Sequence, residues 1–256
     1  MRATLLSWNV AGRVKRLPEQ FERVVAQRPD VICLQEISRT TAPLWAHGLR
    51  EAGWEQVEIA GAGAVSGRRA LRVLTASRFS LEGGDVPGVP WPERVLTTKV
   101  QGLEVINFHS PISPSPNLAK VRAHEAVHAY LAQGAGPRLV CGDLNTPRRE
   151  HADGHVWTFA RDRYGKLREE RGERWDQAEL SLIRGLEPFG FRDAFRALHG
   201  REVRELSWEW QRWHGGYRLD HLVVSPEVDV SEVRYLHDLR RAGLSDHSAL
   251  WAVVDW

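Results

Sequence analysis

The sequence has few cysteines, no long hydrophobic run and almost no net charge, and each scarcity argues against a class of protein. Its 256 residues contain two cysteines, Cys33 and Cys141, both inside apolar runs. These are interpreted as buried thiols in a reducing compartment, and a disulfide between them would require the two runs to be neighbouring strands. No apolar run approaches the ~20 residues of a membrane-spanning helix. The formal net charge is +2, so overall charge does not indicate a nucleic-acid partner.

Targeting segments and linkers are also missing from the pattern. The first residues lead directly into an apolar strand, without the regions of a signal peptide. No repeat or low-complexity tract divides the chain, and its 42% hydrophobic content is enough to bury one core. We therefore expect a single domain over residues 1–256 that is soluble, cytoplasmic and monomeric.

The most informative stretch is an apolar run that ends in a glycine, a carboxylate and a carboxamide. The run from Pro137 to Cys141 is typical of a short buried strand, and Gly142, Asp143 and Asn145 follow it. Side chains alternate along extended chain, so Asp143 and Asn145 can point the same way. A buried carboxylate without a partner is very costly. Alone, however, an Asp-x-Asn turn is common structural chemistry.

Further polar clusters repeat this design beside other apolar runs. They are Ser7-Trp8-Asn9, Leu34-Gln35-Glu36, Asn107-Phe108-His109-Ser110-Pro111, Arg218-Leu219-Asp220-His221 and Ser245-Asp246-His247. Together they predict one convergent site at one edge of a sheet structure. Glu36, Asp246 and the Asn9 carbonyl are oxygen ligands, which suit Mg²⁺, or Mn²⁺ as a substitute, better than zinc.

The other polar residues suit hydrolysis of a phosphoester beside such a metal. Asp143 is the candidate base for a water molecule, and Asn145 is expected to orient it. His109 and His247 would donate hydrogen bonds to a phosphorus centre that accumulates negative charge. Asp220 is expected to fix the tautomer of His247 by accepting its second ring N–H.

In these motifs and their order, the sequence resembles the endonuclease/exonuclease/phosphatase superfamily, which includes DNase I and exonuclease III. The resemblance spans nearly the whole chain. It implies an α+β fold, a four-layer α/β/β/α sandwich of the DNase I type, with two packed mixed β-sheets flanked by helices. It also implies hydrolysis by a metal-activated water without a covalent intermediate.

The same resemblance implies roles for single residues. It assigns Asn9, Glu36 and Asp246 to the metal, Asp143 with Asn145 to the water, and Asp220 with His247 to a carboxylate–imidazole pair. His109 lies where the family has a histidine or tyrosine that contacts phosphate or aids the leaving group. One departure is Ala11, where many exonuclease III-like abasic-site endonucleases carry an aspartate, and this weakens the case for a second metal and for that activity.

The substrate is less defined than the chemistry. In exonuclease III-like enzymes a tryptophan-rich stretch before the Arg-Leu-Asp motif helps to form the pocket for an abasic sugar. The corresponding aromatics here are Trp208, Trp210, Trp213 and Tyr217. A second similarity to those bacterial sequences is the stretch from Phe191 to Arg196. For each tryptophan, a place in the core is the alternative.

Basic residues gather beside two of the motifs. The groups are Arg13, Lys15 and Arg16 after the Asn9 strand, and Arg148 and Arg149 after Asn145. Both are candidates for phosphate contact, with a solvated face as the alternative. A further pair is Arg68 and Arg69. The arginines between 161 and 174 are interleaved with glutamates, so a solvated face is the preferred interpretation there.

These observations favour a Mg²⁺-dependent phosphodiesterase acting on DNA, either an abasic-site endonuclease or a 3′-exonuclease. The first alternative is a phosphatase or phosphodiesterase acting on RNA ends, a small phosphoester or a phospholipid headgroup. The second is a binding module without catalysis, which the complete set of polar positions disfavours.

Several elements can also be predicted. Pro18 to Arg28 and Asn117 to Gln133 have helical periodicity, and Leu96 to Phe108 has the pattern of a hairpin turning at Gln101-Gly102. His124 and His128 are expected to face solvent. Residues 176–198 are expected to be helical cover, with Phe189, Phe191 and Phe195 in the core.

Overall fold

The computed structural model describes residues 1–61, 71–210 and 215–256. In chain order, its strands and helices are β1 (Arg2–Asn9), α1 (Leu17–Ala26), β2 (Val31–Ile37), α2 (Ala42–Glu51), β3 (Gln56–Ile59), β4 (Arg72–Ser77), β5 (Leu81–Gly84), β6 (Val95–Val100), β7 (Leu103–Phe108), α3 (Ala119–Gln133), β8 (Arg138–Asp143), β9 (Arg149–Glu150), β10 (Val156–Trp157), α4 (Gly172–Ser181), β11 (Arg192–Asp193), α5 (Ala194–His199), β12 (Trp208–Glu209), β13 (Gly216–Tyr217), β14 (Asp220–Val224), β15 (Asp229–Leu236), α6 (His237–Arg241) and β16 (Ala249–Asp255). Single 3₁₀ turns span Pro92–Arg94 and Glu187–Phe189.

Most strands belong to two six-stranded mixed sheets that pack face to face. The spatial order is β15-β16-β1-β2-β4-β3 in the first sheet and β11-β14-β8-β7-β6-β5 in the second. The pairs β1–β2 and β7–β8 are parallel, and the strands next to them run antiparallel. Two short hairpins, β9–β10 and β12–β13, lie outside these sheets.

The unbroken apolar runs of the sequence follow from burial on both faces of each sheet. Alternate residues of β2 point in opposite directions: Cys33 packs between the sheets with Cys141 of β8, whereas Leu34 packs beneath α1 and α2. Val140 of β8 faces α3 on the other side of the molecule. The layers therefore run helix, sheet, sheet, helix, and the predicted four-layer α/β/β/α sandwich is confirmed.

The first helix shows how the local sequence sets an element. Pro18 occupies its first turn, where a missing backbone N–H costs nothing, and Val24 faces the core with Phe21 partly buried beside it. The helix ends at Ala26 because Pro29 follows, and proline disfavours helical geometry in the residue before it. The predicted span, Pro18 to Arg28, is therefore correct to within two residues at either end.

Other predicted elements have mixed outcomes. The hairpin of β6 and β7 turns at Gln101-Gly102 as expected, and α3 begins two residues later than predicted. Both cysteines are buried and free. None of the helices in the described ranges is both long and apolar enough to cross a membrane.

Three predictions were wrong. His124 does not face solvent: it is fully buried, and its Nε2 lies 2.8 Å from Ser110 Oγ. Phe191 and Phe195 are in the core as expected, but Phe189 is 47% exposed because the 3₁₀ turn carries it to the surface. The segment 176–198 is not continuous helical cover, since β11 interrupts it and pairs with β14 of the second sheet.

Candidate active site

The topology brings the polar ends of several strands to one edge of the sandwich. β1 and β2 are parallel and end near Asn9 and Glu36; β7 and β8 are parallel and lead to His109 and Asp143. The antiparallel strand β14 begins at this edge, with Asp220 directly opposite Asp143. β16 is antiparallel to β1, so the loop that precedes it, which carries Asp246 and His247, reaches the same edge. Both sheets therefore contribute side chains to one site.

Asp143 lies at the centre of the cluster and is almost completely buried. Its Oδ1 accepts the backbone N–H of Asn145 at 2.9 Å. Its Oδ2 accepts the side-chain amide of Asn9 at 3.0 Å and that of Asn145 at 3.4 Å. Asn145 has φ +50° and also donates to the Ser110 carbonyl at 2.8 Å, so its amide is held in place from two sides.

Asn9 connects the carboxylates of the two sheets. Its Nδ2 donates to Glu36 Oε1 at 3.1 Å as well as to Asp143. Its Oδ1 accepts the backbone N–H of Ala11 at 2.9 Å. The amide thus presents its NH₂ group to the two carboxylates and orients them, and the metal role of Asn9 stays a prediction.

Glu36 reaches the site through an irregularity in β2. The pairing of β2 with β4 shifts between Leu34 and Ile37, and Glu36 has a positive φ of +58°. Bulges of this kind change the direction of a side chain at a strand end. The Glu36 carboxylate is about a quarter exposed, so it faces the mouth of the site and is accessible to a ligand.

His247 and Asp220 form the predicted carboxylate–imidazole pair. The His247 Nδ1 lies 2.8 Å from Asp220 Oδ2, and Nε2 lies 3.7 Å from Asp143 Oδ2. Burial by itself would lower the pKa of His247, but the charges of Asp220 and Asp143 outweigh it and raise that pKa above its ordinary value. His247 is therefore an imidazolium, and its Nε2–H points toward Asp143.

His109 lies on the other side of Asp143. Its Nε2 is 3.5 Å from Glu36 Oε1 and 3.8 Å from Asp143 Oδ2. Burial, followed by the charges of Arg94 and His247, holds the pKa of His109 well below its ordinary value. The ring is neutral, so the site combines a neutral and a charged imidazole.

Arg94 is a site residue that the sequence did not reveal. Its Nη1 lies 3.3 Å from both ring nitrogens of His109, and its carbonyl accepts the His109 backbone N–H. It belongs to the 3₁₀ turn Pro92–Arg94 and to no motif, so only the pairing of β6 with β7 brings it here. The guanidinium adds a positive charge beside Glu36 and Asp143.

Lys120 and Glu179 support the site from behind and were also missed. Both are fully buried, and Lys120 Nζ donates to Glu179 Oε1 and to the Asn145 carbonyl, each at 2.7 Å. A signal was present, since Lys120 lies on the same helical stripe as Val127 and Leu131. A lysine on a buried stripe needs a partner, but the sequence does not say which acid supplies it.

The acidic residues fit a hard divalent cation. Glu36, His109 and Asp143 offer ligand atoms within 4.8 Å of one another, as do Asp143, Asp220 and His247. Burial raises the pKa of Asp143 to about 7, against the lowering effect of the charge on His247. Carboxylate oxygens are the ligands that such a cation prefers.

Asp246 belongs to neither of these groups. Its Oδ2 instead accepts the indole N–H of Trp208 at 3.0 Å, and Trp208 forms a β-bridge with His247. The metal role of Asp246 stays a prediction. The structure shows that Trp208 of the aromatic segment donates a hydrogen bond to this carboxylate.

The candidate substrate-binding residues fall into two groups. Trp208 stacks on Tyr217 at 5.9 Å with nearly parallel planes, and Trp210 packs edge-on against both. We call these three side chains the aromatic cluster; Trp210 is 41% exposed. Arg148 is half-buried beside Tyr217, whereas Arg13 donates to the Gly243 carbonyl at 3.1 Å and so fastens the loop before His247. Predictions for Arg68, Arg69 and Trp213 concern positions outside the described residues.

The arginines between 161 and 174, where a solvated face is expected, include side chains that make contacts within the protein. Arg161 pairs with Asp176, and Arg174 pairs with Glu125. Arg171 lies over the ring of Trp175.

Two packed sheets with a buried carboxylate–imidazole cluster at one end define a class of metal-dependent phosphoester hydrolases. The family model of the Endonuclease/Exonuclease/phosphatase family matches residues 6–247, and the chain belongs to this family. It is therefore an enzyme of that class, and the alternative of a binding module without catalysis is wrong. No curated protein sequence matches the chain.

Solved structures with the same fold include an AP endonuclease from Archaeoglobus fulgidus, with 22% identity, a TM-score of 0.74 and coverage of 99% of both chains. A 3′ phosphatase, NExo from Neisseria, bound to a product DNA hairpin, has 21% identity and a TM-score of 0.72, over 99% of this chain and 100% of that one. Humanized D. rerio TDP2 has 16% identity and a TM-score of 0.67, over 100% and 99%.

Proposed function

We propose that the protein is a Mg²⁺-dependent phosphodiesterase that hydrolyses DNA, as an abasic-site endonuclease or a 3′-exonuclease. The observation that carries the proposal is the arrangement around Asp143, a buried carboxylate whose Oδ2 lies 3.7 Å from His247 Nε2 and 3.8 Å from His109 Nε2. Membership of the family supports phosphoester hydrolysis in general.

In this proposal Asp143 is the general base. Its Oδ2 is the atom that lies nearest to His109 and His247, and this oxygen takes a proton from water; the raised pKa of Asp143 makes it a better base. The Asn145 amide, 3.4 Å from Oδ2, orients that water. The product of this step is a hydroxide beside the phosphorus.

The two imidazoles act on the charge that develops at phosphorus. His247 is doubly protonated: its Nδ1–H donates to Asp220, and its Nε2–H donates a charge-assisted hydrogen bond to a phosphoryl oxygen. His109 is a neutral donor on the opposite side. Glu36 and Asp246 would hold Mg²⁺, which would polarise the phosphate and offset its negative charge. Asn9 keeps Glu36 in position.

The preference for DNA has separate support. Stacking on exposed aromatic rings stabilises unpaired bases by about 1–3 kcal/mol each, and the aromatic cluster lies directly beside the site, attached to Asp246 and His247. Two structural neighbours are an AP endonuclease and a phosphatase with bound DNA.

The test is Mg²⁺-dependent cleavage of an end-labelled duplex with one abasic-site analogue, beside an undamaged duplex. Asp143→Asn is the inactive variant, and Asp85→Asn, the same change at an exposed carboxylate, is its control. We expect incision at the analogue that is lost with chelator and with Asp143→Asn but kept with Asp85→Asn.

Other outcomes are equally informative. Shortening of both duplexes from their 3′ ends would assign the exonuclease activity. If neither duplex is cut but RNA ends, a small phosphoester or a phospholipid headgroup is hydrolysed, the site stands and DNA is the wrong substrate.

A further inference from the structure

A cleft of about 500 Å³ opens beside the candidate active site. One wall is the segment after Asn145, with Arg148 and Arg149, and the other contains Tyr217, just before Asp220. Because Asp143 and Asp220 pair across neighbouring strands, both walls leave the site from adjacent strand ends. The cleft therefore begins where the catalytic residues end.

The lining of the cleft is strongly basic, with six arginines against three glutamates. Two of the arginines are neutralised within the protein. Glu150 accepts from Arg218 at 2.6 and 2.8 Å and from Arg196 at 2.8 and 3.1 Å. Asp193 adds a second carboxylate for Arg218, at 2.8 Å. These ion pairs form the floor of the cleft, and the charges of the two arginines are balanced there by the two carboxylates.

The other arginines are different. Within the ranges that the structure describes, Arg148, Arg149 and Arg204 make no ion pair with a carboxylate, and Arg201 has only a 3.5 Å contact with Glu187. Arg149 lies over the ring of Trp157, 5.5 Å from its centroid, which restricts the guanidinium without neutralising it. Several positive charges thus face a concave space without an acidic partner.

The side chains that line the cleft indicate which class of ligand binds there. A guanidinium recognises phosphate oxygens through two parallel hydrogen bonds, and about 500 Å³ is within the usual range for a small-ligand site. The aromatic cluster at the rim, which includes Tyr217, offers ring faces of the kind on which bases stack. Arginines in a groove with aromatics at its edge are the combination used to hold single nucleic-acid strands.

We propose that this cleft binds the phosphodiester adjacent to the one that is cut, so that the enzyme acts on a polynucleotide strand and not on an isolated phosphoester. The inference rests on the proposed function and deepens it. Arg148, Arg149 and Arg204 contact the flanking phosphate, and Tyr217 separates that phosphate from the catalytic centre.

Binding is tested apart from cleavage. The affinity of a fluorescein-labelled single-stranded oligonucleotide is measured by anisotropy, in chelator, over a range of salt concentrations. Each phosphate contact on a single strand contributes about −0.7 to the slope of log affinity against log salt. We expect Arg149→Ala and Arg204→Ala each to make that slope less negative by up to about 0.7 and to lower the affinity by about three- to tenfold.

The control is Arg50→Ala. Arg50 is exposed at the end of α2 and donates to the Val57 carbonyl of β3. Through β4, Val57 lies level with Ile32 near the start of β2, whereas Glu36 lies at the other end of β2. This variant removes the same charge far from the cleft and should leave the slope unchanged.

Kinetics give a second readout on the active enzyme. The ratio of kcat/KM on a short oligonucleotide to kcat/KM on bis(4-nitrophenyl) phosphate should fall about three- to tenfold in Arg204→Ala. A single uncharged methylphosphonate in the substrate, placed next to the scissile phosphate, should slow the unmodified enzyme by a similar factor. The effect is expected on only one side of the scissile phosphate, and Arg204→Ala should show little of it.

Unchanged slopes in both cleft variants, or a methylphosphonate with equal effect in variant and unmodified enzyme, would overturn the proposal even if DNA is cleaved. A further result would also overturn the proposal: inorganic phosphate binds in the cleft, but the affinity for the oligonucleotide is the same in both variants as in the unmodified enzyme. The cleft would then be a site for free phosphate. If oligonucleotides bind with the expected slopes but no nucleic acid is cut, the cleft stands and the proposed DNA hydrolysis fails.

Discussion

Replacing Lys120 by methionine tests how the buried ion pair behind the site supports the fold. The Lys120 side chain is 0% exposed and that of Glu179 is 1% exposed, with 2.7 Å between Nζ and Oε1. Burial lowers the pKa of Lys120, against the opposing charge of Glu179. Methionine has a similar length, so Lys120→Met removes the charge and two hydrogen bonds with little change in volume.

The size of the effect follows from what remains around Glu179. Removing one member of a buried pair costs about 3–5 kcal/mol, because the other charge is left without compensation. Glu179 keeps hydrogen bonds from the Trp175 indole, the Thr146 hydroxyl and the Phe159 backbone, which favours the lower end. We expect a loss of about 3 kcal/mol in the free energy of unfolding, or a fall of roughly 6–12 °C in Tm for a chain of this size.

Urea unfolding of three variants separates charge from packing. Lys120→Met and Glu179→Gln each break the pair, whereas the double variant Lys120→Met/Glu179→Gln removes both charges of the pair and should lose less than the sum of the single changes. Lys120 also donates to the Asn145 carbonyl. We therefore expect kcat to be lower in Lys120→Met even at temperatures at which the variant is still folded. A cost under about 1 kcal/mol, or strict additivity, would refute this reasoning.

Three further predictions concern the pair at the site, the aromatic cluster and acid stability. Asp220→Asn keeps an acceptor for His247 but removes the charge, so kcat should fall at least ~10²-fold with a small change in Tm; kinetics near those of the unmodified enzyme would contradict this. Trp210→Ala should weaken oligonucleotide binding about fivefold or more, measured by anisotropy, and unchanged affinity would assign Trp210 to structure alone. Burial would raise the pKa of Glu150, but Arg218 outweighs it and lowers that pKa to about 2. The resulting stability of about 3 kcal/mol is complete above pH 4.5 and is lost as the pH falls from 4.5 to about 2, so urea unfolding across this range should show a slope that Glu150→Gln reduces.

Much of this fold could be predicted because the sequence patterns are local. Apolar runs such as Val31 to Leu34 are buried on both faces, and this predicts strands inside a layered structure. The Gln101-Gly102 turn and Pro18 act through backbone geometry alone. These features require no knowledge of what lies across the sheet.

The candidate site was partly predictable for the same reason. Asp143, Asp220 and His247 lie beside recognisable strand ends, and polar residues in such places need partners. Their order along the chain resembles a known superfamily. The Asp220–His247 contact at 2.8 Å agrees with that expectation, whereas the catalytic roles are still predictions.

The sequence by itself determined many of the strands and most polar positions of the site, because periodicity and turn chemistry act over a few residues. The layers were expected only from the resemblance to a known superfamily. Only the tertiary structure decided which group faces which. It turned the amide of Asn9 toward the carboxylates, brought Arg94 to His109 from the turn before the neighbouring strand, and placed Lys120 against Glu179, 59 residues away. The physical reason is that hydrogen bonds and charges act across space, and partners distant in sequence meet only when both sheets have packed.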